Sequence, residues 1–240
     1  MTVDTESLLA RLAERPGETA VLLDVDGTLA PIVERPEDAA VPEPTRALLR
    51  DLAARYALVA CVSGRPDEDV RRTVGVDGIV YVGEHGIGLD PQAAEWRGQL
   101  DELVATVDWP PERKRFSVAF HYRTAADEQA AVERLRRVAA RAAELGLHAR
   151  WGRKVLEVLP PVDAGKGTAV RALLAERGIR RVLYAGDDST DLDAFRGLDG
   201  LDLAVRVAVV SDEGPSELGR AADIVVGGTE TLADLLRRLL

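Results

Sequence analysis

Asp24-Val25-Asp26-Gly27-Thr28 ends a continuous apolar run, and three later segments carry groups that work with such an acid pair: Val62-Ser63-Gly64-Arg65, Gly165-Lys166-Gly167 and Gly186-Asp187-Asp188-Ser189-Thr190-Asp191. Singly each is weak, because Asp-Gly is an ordinary turn and Ser-Gly-Arg an ordinary loop. In this order they point to phosphoryl transfer, which needs a nucleophile, a proton donor and a set of groups that hold the charge of the equatorial oxygens. Side chains alternate along an extended segment, so Asp24 and Asp26 can point the same way about 6.5 Å apart. One such carboxylate can attack phosphorus while the other protonates the departing alcohol and then activates water. Asp24 is the expected nucleophile and Asp26 the expected general acid and base.

Ser63 would donate a hydrogen bond to the same phosphoryl group. Lys166 opens a helix, where the helix dipole disfavours a cation, so a merely solvated lysine is electrostatically poor there and an ammonium aimed at an anion is the better reading. A few carboxylates with waters and phosphate suit Mg²⁺. Asp24 and Asp187 are the expected side-chain ligands and the backbone carbonyl of Asp26 a third. Asp188 and Asp191 would be further ligands or supports for the first ones. N-capping of the following helix would need only one acid, and this stretch has three.

In an open α/β sheet ligands gather at the carboxyl ends of the strands, so the surrounding elements decide whether these groups meet. Residues 6–15 read as an amphipathic helix and 19–24 as a strand buried on both faces. A helix with Pro44 in its first turn runs to residue 56, followed by a strand over 57–62, a helix over 66–74 and a strand over 79–82. Beyond Gly83-Glu84-His85-Gly86 the rhythm changes to a helix over 96–107, an alternating strand over 116–122, a helix over 127–145 and strands over 148–151 and 154–159. After Pro160-Pro161 the alternation resumes: helix 166–177, strand 181–185, helix 190–198, strand 203–209, a short helix, strand 224–226 and helix 229–240. The expected fold class is α/β: a doubly wound, mainly parallel sheet over 1–90 and 162–240, interrupted by an inserted α+β domain over 91–161.

A chain of 240 residues, 46% of them hydrophobic, can bury one core with a smaller second one. The formal charge of −10 argues against nucleic acid or an anionic membrane as partner. It leaves room for a small phosphorylated substrate, because local cations dominate over a screened acidic surface. Of 31 basic residues only Lys114, Lys154 and Lys166 are lysine, where a compact ammonium has a purpose that arginine does not serve. Cys61, the one cysteine, lies inside an apolar run and is expected in the core. No apolar run reaches the roughly 20 residues of a membrane span, and the first residues lack the pattern of a signal peptide, so a cytoplasmic location is expected.

The four segments in this order resemble the haloacid dehalogenase superfamily of phosphatases, and the insertion resembles the α+β cap of its sugar-phosphatase groups. More narrowly, the chain is similar to the trehalose-6-phosphate phosphatase family. The likeness rests on Asp-Gly-Thr-Leu-Ala-Pro-Ile at 26–32, Ser-Gly-Arg at 63, Gly-Glu-His-Gly at 83, Glu112-x-Lys114, His121-Tyr122-Arg123, Gly152-Arg153-Lys154-Val-Leu-Glu157, Asp163-Ala-Gly-Lys166-Gly and Gly186-Asp187-Asp188-x-Thr190-Asp191. Val25 and Leu192-Asp193 depart from the commoner pattern, which touches the subfamily more than the reaction class. The resemblance implies a Mg²⁺-dependent release of phosphate from trehalose 6-phosphate, the last step of trehalose biosynthesis, through an aspartyl-phosphate. It implies that Glu112, Lys114, Arg123, Arg153 and Glu157 grip the sugar, that Gly64, Arg65, Glu84 and His85 line the substrate site, and that a trehalose-phosphate synthase is a conceivable partner. On the residues alone, two other readings stay open: a phosphatase for sucrose 6-phosphate or a glycosyl-phosphoglycerate, and an idle module that binds a sugar phosphate without turnover.

Overall fold

The computed structural model describes residues 4–152, 154–211 and 214–240. In chain order the elements are α1 (Thr5–Ala13), β1 (Thr19–Leu23), α2 (Glu43–Arg55), β2 (Leu58–Val62), α3 (Asp67–Val74), β3 (Val80–Val82), α4 (Arg97–Thr106), β4 (Glu112–Arg113), β5 (Val118–His121), α5 (Glu128–Glu144), β6 (His148–Gly152), β7 (Val155–Leu159), α6 (Lys166–Arg177), β8 (Arg181–Gly186), α7 (Ser189–Gly197), β9 (Leu203–Val209), α8 (Ser216–Ala221), β10 (Ile224–Val226) and α9 (Thr229–Arg237). They form two compact units, Met1–Gly86 with Ala164–Leu240, and Ile87–Asp163. The divisions therefore fall at 86/87 and 163/164, against the 90/91 and 161/162 expected from sequence.

The first unit is built on a six-stranded sheet in the order β10-β9-β8-β1-β2-β3, with every pairing parallel. Strands β1 and β2, TAVLL and LVACV, are buried along their whole length, which is why they read as unbroken apolar runs. Alternate residues feed two cores. Val21 and Leu23 join Leu9, Leu12, Leu49, Leu52, Leu232 and Leu236 from α1, α2 and α9 on one face. Ala20 and Leu22 join Val170, Leu173, Phe195 and Leu218 from α6, α7 and α8 on the other. Cys61 lies fully buried in β2 with Leu23 beside it on β1, and burial pushes its thiol well above the usual range.

The second unit is an antiparallel sheet in the order β4-β5-β7-β6. Val118, Phe120, Leu156 and Val158 face a core shared with Leu100 and Leu103 of α4 and Leu135 and Val138 of α5. Register puts Ala119 opposite both Glu112 and Glu157, and Arg150 opposite Glu157, so these polar residues share the sheet's other face. The two-residue strand β4 is the element that the sequence pattern does not announce. Both its residues are exposed, so no alternation marks them. The helix expected to run to residue 240 ends at Arg237, and no helix among the described residues is long and apolar enough to cross a membrane.

Leu52 is fully buried where α2 meets the first core. Leu52→Ala should lower the unfolding free energy by about 2–5 kcal/mol, read from urea melts; a loss below about 1 kcal/mol would contradict this packing.

Candidate active site

Strands β8, β1, β2 and β3 are adjacent and parallel, so their carboxyl ends share one rim. Asp24 follows β1, Ser63 follows β2, Glu84 comes two residues after β3 and Asp187 follows β8, while Lys166 is the first residue of α6. Gly27 has a positive φ of 78°, and a Cβ there would fall 2.1 Å from Asp187 Oδ2. The backbone of the first segment thus presses directly against the side chain of the last, a fit open only to glycine. Thr28 Oγ1 donates to Asp187 Oδ1 at 3.1 Å and fixes how that carboxylate faces.

Lys166 is 3% exposed, and its ammonium lies 2.8 Å from Asp24 Oδ1 and 2.7 Å from Asp191 Oδ1. Two glycines where α6 meets α7 have a steric reason. A Cβ on Gly167 would sit 2.4 Å from the Asp193 carbonyl, and one on Gly197 would sit 2.7 Å from the Gly167 carbonyl, so α6 and α7 touch through bare backbone. Asp193 adds a hydrogen bond from the Gly167 N–H at 2.8 Å.

The structure brings Asp24, Asp187 and Asp191 together, with one carboxylate oxygen from each lying within 4.8 Å of the others. Their surroundings differ. Asp191 Oδ1 accepts from Lys166 and from the Tyr184 hydroxyl at 2.7 Å, and Oδ2 accepts from the backbone N–H groups of Asp187 and Asp188 at 2.9 Å each. Four donors occupy that carboxylate, so its place is as the anchor of Lys166 and of the β8–α7 turn. Asp188 stands apart from the trio and caps α7, accepting from the Ser189 N–H and hydroxyl. That leaves Asp24 and Asp187 as the pair with coordinating capacity. They are close enough for a hydrogen bond between their side chains.

Electrostatics reinforce this. Burial raises the Asp24 carboxyl well above its usual range; Lys166 opposes that, and Asp191 and Asp187 add to it. Burial likewise pushes Asp187 up to about 6, against the hydrogen bonds from Asp24 and Thr28 and the charge of Lys166. For Lys166 burial works against the charge, but Asp191 and Asp24 outweigh it and hold the ammonium charged. Three carboxylates against one ammonium leave an excess of negative charge that a divalent cation would neutralise. Mg²⁺ takes oxygen donors, and Asp24 and Asp187 each contribute a carboxylate oxygen to a cluster that could hold such an ion.

Asp26 is turned toward Arg65, whose Nε and Nη2 donate to its two oxygens at 2.6 and 2.7 Å. Ser63 is buried, and its hydroxyl accepts from the Arg65 N–H at 3.2 Å. Glu84 and His85 both adopt positive φ, 46° and 55°, a conformation costing about 1–3 kcal/mol per residue outside glycine. Cross-loop bonds hold them there: Glu84 N–H to the Arg65 carbonyl at 2.8 Å and His85 N–H to the Ser63 carbonyl at 2.9 Å. A Cβ on Gly64 would lie 2.6 Å from His85 Nε2, so Gly64 makes room for that ring.

In the second unit, Glu157 is nearly buried and accepts from Lys114 at 3.0 Å, from Ser117 at 3.0 Å and from Arg150. Glu112 pairs with His121, which with some opposing burial holds its carboxyl below the usual range. Arg123 is exposed, and Arg153 lies outside the described residues. Thr28, Ser117, Arg150, Tyr184 and Asp193 are participants the motifs did not single out. Tyr184 had a signal: a tyrosine inside the fully buried end of β8 needs a partner for its hydroxyl.

Tyr184→Phe keeps the ring packed edge-on against Phe195, at 6.0 Å and 87°, while removing the bond to Asp191. It should lower the unfolding free energy by about 1–3 kcal/mol, read from urea melts; an unchanged melt would refute the anchoring role. Because a cation requires ionised carboxylates, Mg²⁺ affinity should fall as pH drops through about 6, and binding near pH 5 should release a proton. Calorimetry in buffers of different ionisation enthalpy measures both; an affinity flat across that range would contradict the Asp187 environment.

The trehalose-phosphatase family model matches this chain over residues 22–112 and 106–222. A trehalose-phosphate phosphatase of Mycolicibacterium paratuberculosis is 37% identical over 256 aligned positions, covering 91% of this chain and 63% of its own. Across such curated relatives the chain spans between 15% and 63% of their length. A crystal structure described as a trehalose-6-phosphate phosphatase related protein superposes with a TM-score of 0.71 at 25% identity, covering 91% of this chain and 95% of that one. A haloacid dehalogenase-like hydrolase from Bacteroides thetaiotaomicron, at 15% identity and a TM-score of 0.68 over 92% of this chain and 99% of its own, shares the fold. With the family model reaching from β1 to just past α8, the protein belongs to the trehalose-phosphatase family.

Proposed function

We propose that this protein hydrolyses trehalose 6-phosphate to trehalose and phosphate. The observation that carries the reading is the buried Lys166 ammonium held 2.8 Å from Asp24 at the rim where Asp187 and Ser63 also end. Asp24 Oδ attacks phosphorus, the bond from phosphorus to the sugar oxygen breaks, and an aspartyl-phosphate forms. Asp26 gives its proton to the departing sugar oxygen, then takes one from water as that water attacks the phosphoenzyme and frees Asp24. Lys166 and Ser63 hold the phosphoryl oxygens.

Both oxygens of Asp26 are engaged by Arg65. For Asp26 to carry a proton, the guanidinium must move to another anion, and the phosphoryl group of the substrate supplies one. Arg65 is therefore read as a substrate contact that also frees the acid. A Mg²⁺ held by Asp24, Asp187 and the Asp26 carbonyl would supply charge neutralisation for the phosphoryl oxygens and keep both carboxylates ionised. Glu112, Lys114 and Glu157, on the polar face of the second unit, offer the acceptors and donors that sugar hydroxyls need. In the first unit, Gly64, Glu84 and His85 stand beside Ser63 after the ends of β2 and β3.

Phosphate release from trehalose 6-phosphate should require Mg²⁺ and stop with chelator. Asp24→Asn should lower it by at least about a thousandfold with the fold retained. Near wild-type turnover in that variant would remove Asp24 from the chemistry, and equal rates on simple hexose phosphates or sucrose 6-phosphate would remove the disaccharide assignment.

A further inference from the structure

The second unit holds a cavity of about 350 Å³ where the end of α4 and the segment after it meet the C-terminal half of α5. Leu135 and Val138 lie among its lining together with Trp109, while Arg134, Arg137 and Arg141 supply its charge. The three arginines recur at i, i+3 and i+7, so they share one face of α5. Arg134 lies over the Trp109 ring at 5.2 Å and donates to the Asp108 carbonyl at 2.7 Å, with the Asp108 carboxylate 3.4 Å away. Arg141 pairs with Glu102 at 2.7 Å and Glu144 at 2.9 Å. Among the described residues Arg137 has neither an ion pair nor a hydrogen bond, although it lines the same space.

Asp108 is the one acid among the described lining residues, against three arginines, in a chain whose net charge is −10. Acids answer Arg134 and Arg141, so Arg137 is the lining cation without an ion pair among the described residues, and it stands beside buried leucine and valine. We propose that this cavity binds a small organic anion with an apolar or aromatic body. The body packs on Leu135, Val138 and the Arg134–Trp109 stack, and the anionic head meets Arg137. The volume falls at the lower end of the range for small-molecule sites, about 300–1,000 Å³, which suits a mononucleotide or an aromatic carboxylate. The cavity lies on the helix side of the β4-β5-β7-β6 sheet, whereas Glu112 and Glu157 lie on its other face, so it is distinct from the residues assigned to the sugar.

Calorimetry on the whole chain with adenosine 5′-monophosphate, salicylate, inorganic phosphate and neutral adenosine tests this. At least one of the two organic anions should saturate at one per chain and bind at least about tenfold more tightly than inorganic phosphate or adenosine. Arg137→Ala should weaken that binding about tenfold and Arg137→Glu should abolish it, while Asp24→Asn leaves it unchanged. Arg137 is exposed, so both variants should fold, which their melting temperatures check. Three results would each overturn the site: no saturable binding of either organic anion, binding indifferent to the Arg137 variants, or equal affinity for adenosine or inorganic phosphate. Loss of turnover in Asp24→Asn with anion binding intact would separate this cavity from the proposed phosphatase site.

Discussion

A lysine ammonium sealed inside a protein is costly, several kcal/mol in effective terms, unless it is met by carboxylates with good geometry. Lys166 is met by two, Asp24 just after β1 and Asp191 in the first turn of α7. This one contact ties the β1 terminus to the β8–α7 turn through the first residue of α6. Removing either acid would leave a buried cation half compensated, which is why Asp191 is itself held by four donors. Beside this pairing stands Asp187, and burial raises both its carboxyl and that of Asp24.

Close backbone approach makes this arrangement possible. Gly27 admits the Asp187 side chain, Gly167 and Gly197 let α6 and α7 touch, and a Cβ on Gly186 would lie 2.2 Å from the Asp191 carboxyl carbon. Each glycine clears space for a carboxylate or for the helix carrying the lysine. The strained Glu84 and His85 conformations belong to the same design at the neighbouring strand ends, where their N–H groups donate to the Arg65 and Ser63 carbonyls and hold an otherwise unfavourable turn.

Much of the fold was legible because its signals are local. Unbroken apolar runs marked β1 and β2, and the change from alternating strand and helix to strand, helix, strand, strand marked the inserted unit. Strand β4 was not legible, because two exposed residues leave no periodic trace. At the site, the motifs gave the residues that converge but not the division of labour among the acids. Asp191 and Asp188 look alike in sequence; only the donors around each, set by the turn after β8, separate an anchor from a helix cap. The Arg65 grip on Asp26 was equally out of reach, since it joins loops 39 residues apart. The Glu157 network, built from Ser117 just before β5 and Arg150 on β6, depends on register that composition does not encode.

The burial of Cys61 between β1 and its neighbours has a practical corollary. With its sole sulfhydryl walled off and hard to deprotonate, the folded chain offers no reactive thiol to alkylating agents or to peroxide, and Cys61 has no second cysteine with which to close a bridge. Thiol labelling therefore becomes a clean reporter of global opening: a maleimide that reacts has caught the central sheet coming apart.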